Sequence, residues 1–289
     1  MARKATAVVH GAATIVNAIA LGKGAAFGVD LWTKAEVILT NEPGVIEAEI
    51  VTDSKESTLL IERTVIRVLQ RFSLEKSFGA RIETYSNIPI AKGLKSSSAA
   101  ANAIALATVA ALDKKLDDLE IIKIGVEAAF DAKVTVTGAF DDACASYFGG
   151  VVITDNLNRK IIKQLPLADE LMVLFHVPTQ KTYTINSNIA RLQTVKPFVQ
   201  IAYEKALEGK IWEALTLNGL IYSSAQNLNT SIAVDALAAG AVAAGLCGKG
   251  PAVSAVVPND KLDSVKVALQ RYEGEILVAH LNCEKAKVF

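Results

Sequence analysis

Residues 96–112 carry no charge and are nearly half alanine, and this run limits what the chain can fold into more than any other feature. Alanine is the strongest helix former, so the run predicts one long helix, stopped by Asp113-Lys114-Lys115. It is too weakly apolar and too short to span a bilayer comfortably. The residues before it, Pro89-Ile90-Ala91-Lys92-Gly93-Leu94-Lys95-Ser96-Ser97-Ser98-Ala99, lead a lysine-flanked glycine turn straight into the helix start. Unpaired N–H groups and the positive end of the helix dipole converge there. One serine would suffice as a cap. Three after Lys-Gly-Leu-Lys point to a phosphate cradle, with a hydroxyl to spare for a phosphate oxygen or a magnesium ion.

The rest of the 289 residues reads as strands mixed with helices. Strands are predicted over 34–40 and 47–51 around an Asn-Glu-Pro-Gly turn, then a helix over 58–72 from its apolar spacing. A strand over 80–85, a helix over 118–130 and a strand over 151–154 after Gly149-Gly150 follow. The polar turn at 156–159 marks the expected domain boundary, giving domains 1–156 and 157–289. Beyond it come strands over 160–165 and 170–177, and helical stretches between 185 and 244 broken near Pro197 and Gly209. A strand, helix and strand over 252–257, 261–272 and 275–282 end the chain. Meandering strands beside helix pairs indicate an α+β fold rather than a doubly wound sheet.

Thirty Lys+Arg balance thirty Asp+Glu, a neutrality that argues against nucleic-acid binding. Cys144, Cys247 and Cys283 are few and scattered, as are His10, His176 and His280, so neither a disulfide framework nor a metal cluster is expected, and a reducing cytoplasm fits. The uncharged stretch 5–22 is interrupted by His10, Thr14 and Asn17 and lacks the compact apolar core of a signal segment. The chain reads as soluble, with no membrane partner. Against this neutral background, lysines among glycines recur at Gly22-Lys23-Gly24, Lys92-Gly93-Leu94-Lys95 and Gly248-Lys249-Gly250, and together they favour an anionic ligand. No Gly-x-x-x-x-Gly-Lys-Ser/Thr occurs, and 22–28 misses Gly-x-Gly-x-x-Gly by one position, which excludes the P-loop and disfavours a dinucleotide fold.

The segment 89–99 resembles the second motif of the GHMP kinases, with Lys95 and Ser98 standing where that motif has glycine and alanine. Ala13-Thr14-Ile15-Val16-Asn17 with the 22–28 loop is similar to the family's first motif, and Gly245-Leu246-Cys247-Gly248-Lys249-Gly250-Pro251-Ala252 to its third. Thr137-Gly138-Ala139-Phe140-Asp141-Asp142 through Gly150 looks most like the archaeal shikimate kinases within that family. The resemblance implies an N-terminal domain like domain 2 of ribosomal protein S5 and a ferredoxin-like C-terminal domain. It also implies ATP and Mg²⁺ as cofactors and a small hydroxy acid, shikimate, as the phosphate acceptor; homoserine is the alternative.

On the same resemblance, ATP lies over Pro89, Lys92, Gly93, Leu94, Lys95, Ser96, Ser97, Ser98 and Ala99, and Ser97 with Glu127 holds the metal, Asp131 being the alternative acid. Asn17, Lys23, Gly248, Lys249 and Gly250 adjoin the acceptor. Asp141 is assigned as the base that takes the hydroxyl proton, with Asp142 open as a second candidate. Two adjacent acids among apolar residues repel, which raises the pKa of one. Lys181, Arg191 and Lys23 are the candidate partners of the acceptor carboxylate. A catalytically inactive nucleotide-binding relative is the rival from another class, and a decarboxylase acting on a diphosphate would call for more basic residues than a balanced chain supplies.

Overall fold

In the computed structural model, which describes residues 3–167, 171–179 and 189–289, strands form two sheets. The first has seven strands. β1 (Lys4–Val16) and β2 (Lys23–Thr40) are its long central pair; β4 (Gly79–Ser86) and β3 (Ile46–Ile50) extend it on one side, and the C-terminal β11 (Lys287–Val288) closes the other. β5 (Val151–Asp155) pairs with the first half of β2, and β6 (Lys160–Leu165) with β5. The second sheet has the order β10 (Glu275–His280), β7 (Leu171–Val177), β9 (Val253–Pro258), β8 (Ala243–Leu246), all antiparallel. With the helices after β7 and α9 (Leu262–Leu269) after β9, that order is the split β-α-β ferredoxin-like pattern. The α+β reading holds.

The uncharged stretch near the N-terminus is β1 itself. Its first half alternates buried and open positions, and its second half is buried at every position. A strand covered on both faces loses the period-two signature, and for the same reason the first half of β2 looks like a loop in the sequence. The expected boundary at 156/157 falls in the turn between β5 and β6, and β6 hydrogen-bonds back to the first sheet. The second sheet begins beyond it, at β7. The helical stretch is broken near Pro197 as expected: α5 (Ile189–Thr194) ends just before it, and Pro197 stands in the first turn of α6 (Lys196–Leu207), where its missing N–H costs nothing.

The alanine run forms α2 (Ser96–Ala111), packed against β1, β2, α1 (Leu59–Arg71) and α3 (Asp118–Asp131). Eleven of its residues are buried, and eight of these are alanine, serine or threonine. Small side chains let the helix lie close to its neighbours on all sides, which points its N-terminus at the seam between the two sheets. α4 (Phe140–Phe148) begins at the same seam.

Candidate active site

A cavity of about 500 Å³ opens at the start of α2. Ser96, Ser97 and Ser98 line it, together with Asp141 and Asp142 from the first turn of α4, Asn17 from the turn after β1, and Gly248, Lys249 and Gly250 from the β8–β9 loop. Another wall is apolar, from Ile50, Leu59, Leu60, Val134 and Val136. The residue before α2, Lys95, has the left-handed φ of 65°, and no side chain caps the helix. The serines are thus free of the capping role, and the helix end faces the cavity with its N–H groups.

Gly93, with φ 88°, approaches the third loop so closely that any Cβ would collide with the carbonyl oxygen of Cys247. Lys92 does not face the cavity. Its Nζ donates to the carbonyl oxygens of Pro178, at 2.6 Å, and Thr179, beyond the end of β7. The expected phosphate ligand thus straps the second-motif turn to the second sheet. Pro89, Leu94 and Ala99 are likewise outside the lining, the last two in the core.

Lys95 takes the place the strap vacates. Its Nζ donates to Asp142 Oδ2 at 2.8 Å, with the two side chains only 10% and 8% exposed. Burial pulls the Lys95 pKa down, but Asp142, then the Cys247 thiol and Asp141, outweigh it and leave it raised, so the ammonium stays charged. One lysine faces two carboxylates. The second, Asp141, is 3% exposed, and its Oδ1 accepts from Asn156 Nδ2 at 2.7 Å. Its Oδ2 lies against Gly24, where a Cβ would collide with it. Burial, then the charge of Asp142, pushes Asp141 up to about 7, against the opposing pull of Lys95 and Asn156.

The third loop is bolted to β1. Gly248 N–H donates to Thr14 Oγ1 at 2.9 Å, and Asn17 Nδ2 donates to the Gly248 carbonyl at 2.8 Å. α7 (Ile211–Ala225) holds the other side of Asn17: Asn218 Oδ1 accepts its backbone N–H at 3.1 Å, and Tyr222 Oη donates to its carbonyl at 3.1 Å. Neither Asn218 nor Tyr222 carried a sequence signal, because both act through contacts two hundred residues away in the chain.

The structure does not bring Glu127 to Ser97. Glu127 lies outside the cavity, taken by Arg67 Nη1 at 2.7 Å and Arg159 Nη1 at 2.6 Å, and Asp131 accepts two more bonds from Arg67 at 2.6 and 2.9 Å. Spacing places both on α3, but on the flank that meets α1. Lys23 is exposed at the start of β2, 5.9 Å from the Tyr203 ring, and Arg191 donates to Asn227 at 2.8 Å; neither lines the cavity, and Lys181 lies outside the described residues. Among the described residues no cluster of three or more His, Cys, Asp or Glu could hold a metal ion, and no helix is long and apolar enough to cross a membrane.

Residues 60–150 match the family described as the GHMP kinases N terminal domain. A shikimate kinase of Methanosarcina mazei is 46% identical over 278 residues, 96% of this chain and 94% of that protein. Shikimate kinases of Pyrococcus abyssi, 46% identical over 85% of this chain and 88% of that protein, and of Methanothermobacter thermautotrophicus, 38% identical over 100% and 99%, are also similar. Among solved structures, a homoserine kinase from Cytophaga hutchinsonii superposes with a TM-score of 0.76 at 16% identity, covering 99% of this chain and 98% of that one. The mevalonate kinase of Methanococcus jannaschii gives 0.75 at 16%, covering 96% and 98%.

Proposed function

Because the chain belongs to the shikimate kinases built on the GHMP kinase scaffold, we propose that it transfers the terminal phosphoryl group of ATP to the 3-hydroxyl of shikimate, giving shikimate 3-phosphate and ADP for chorismate and aromatic amino acid biosynthesis. The observation that carries the reading is Asp141, a buried carboxylate raised to about 7 in the same cavity as the uncapped start of α2. The helix end and the three serines supply N–H and hydroxyl donors to phosphate oxygens, and the apolar wall suits a purine base. As the hydroxyl oxygen forms its bond to phosphorus and the bond to the ADP oxygen breaks, the hydroxyl proton passes to Asp141. A carboxylate near 7 is a stronger base than an ordinary one and still ionised enough at neutral pH to act. Asn156 fixes its orientation, and Gly24 leaves the room it needs. Lys95 offsets the charge of Asp142, so that Asp141 and Asp142 can be held side by side.

Magnesium chemistry fits with a changed donor set. Mg²⁺ keeps waters and takes most other oxygens from phosphates, needing one or two protein donors. Ser97 remains one, and Asp142, whose Oδ1 is buried with no hydrogen-bond partner among the described residues, replaces Glu127. The ion would neutralise charge on the phosphate oxygens.

An assay of ADP release with Mg-ATP and either shikimate or homoserine tests the reading. Turnover with shikimate and none with homoserine is the expected result. The reverse would keep the fold and overturn the acceptor.

A further inference from the structure

One cation in the cavity has no part in the chemistry above. Lys249 stands between Gly248 and Gly250 and lines the cavity, and its Nζ is buried without a hydrogen-bond partner among the described residues. An ammonium brings three donors, and leaving all of them unmet away from water is costly. The backbone that carries this side chain is pinned on both sides. Thr14 and Asn17 hold Gly248 on both its N–H and its carbonyl, and Gln226 Nε2 donates to the Lys249 carbonyl at 3.4 Å.

No carboxylate among the described residues bonds the Lys249 Nζ. Asp142 is engaged by Lys95, and Asp141 by Asn156. Lys95 itself crowds the loop, its Nζ lying 3.0 Å from where a Cβ on Gly248 would stand. The other titratable groups lining this space are Glu56 before α1 and Lys133 after α3; Cys247 in the same loop is buried in the core and acts on Lys95. Burial, then the charge of Lys95, holds Lys249 down at about 7, so in the empty cavity above neutral pH it is mostly uncharged.

Resting on the kinase reading, we propose that Lys249 receives an oxyanion brought by a substrate, the terminal phosphate of the nucleotide or the carboxylate of the acceptor, and that it takes up a proton from solvent as the oxyanion arrives. Where the oxyanion is the acceptor carboxylate, Lys249 takes the role expected of Lys23 or Arg191, which do not line the cavity. It also gives the third glycine loop a reason to carry a lysine: neutral, it is tolerated in a buried place beside Lys95; charged, it is stable only with the anion present.

Isothermal titration at pH 8 in two buffers of different ionisation enthalpy measures the uptake directly. Asp141→Asn protein is used, so that neither turnover nor the titration of Asp141 contributes. Mg-ATP without acceptor forms one arm, shikimate without nucleotide the other. If the bound anion restores an ordinary lysine pKa, one arm takes up about nine-tenths of a proton. Adding Lys249→Met abolishes that uptake and weakens binding of the same ligand by about tenfold or more, leaving the other ligand unchanged. The second substitution removes an unpaired buried amine, so the protein is expected to fold at least as stably as its parent. Binding of both ligands with no uptake, or uptake that survives Lys249→Met, overturns the proposal and spares the kinase reading. Failure of wild-type protein to bind either ligand overturns both.

Discussion

Glu127 and Asp131 on α3, and Asp141 and Asp142 on α4, are two pairs of acids a short stretch apart, each with basic partners, and the fold uses them in opposite ways. On α3 two arginines meet two carboxylates at the surface; Glu127 is 36% exposed, and Arg67 holds Asp131 below the usual carboxylate range. Charge is matched and solvated, so nothing reactive is left. On α4 a single lysine meets two buried carboxylates, and the unmatched one, Asp141, rises to about 7. Burial with incomplete compensation creates the chemistry. Acid count is the same on both helices.

The contrast breaks most violently at Lys95. Lys95→Met strands Asp142 in the core and is expected to destabilise the protein by about 3–5 kcal/mol in urea denaturation, while Lys95→Met with Asp142→Leu recovers most of that. Gly24→Ala keeps every charge but pushes a methyl into the Asp141 carboxylate, and kcat should fall by about a hundredfold with little change in fold by circular dichroism. Lowering the pH below about 7 protonates Asp141, so kcat/KM for shikimate should drop by up to tenfold per pH unit. The sign for stability follows from the same shift. The native state binds this proton more tightly than the unfolded chain, so Asp141 costs stability as pH rises from about 4 to about 7, and Asp141→Asn should raise the melting temperature at pH 8. The smallest effect is on the matched pair: Asp131→Asn should cost about 1 kcal/mol or less, shrinking further in high salt.

What could be read from the sequence follows the same division between local and long-range causes. α2 and its lysine-glycine approach are local, set by alanine propensity and a turn, and α2 and the strands β4, β5 and β9 stand where the pattern put them. β1, the first half of β2, and β8 were hidden, because strands buried on both faces show no alternation. Lys92 looks the same in a glycine turn whether it serves a ligand or two carbonyl oxygens, and only the position of Pro178 decides. Glu127 could be placed on a helix but not on a side of it. Asn156 was legible only as a polar turn, since its partner Asp141 is brought to it by the pairing of β5 with β2.

Side-by-side kcat measurements on Asp141→Asn and Glu127→Gln with Mg-ATP and shikimate test most directly whether burial rather than acidity selects the working carboxylate. The account predicts a loss of about a hundredfold to ten-thousandfold for Asp141→Asn and no more than about a twofold change for Glu127→Gln. Comparable losses in both variants, or an Asp141→Asn enzyme close to wild type, would contradict it.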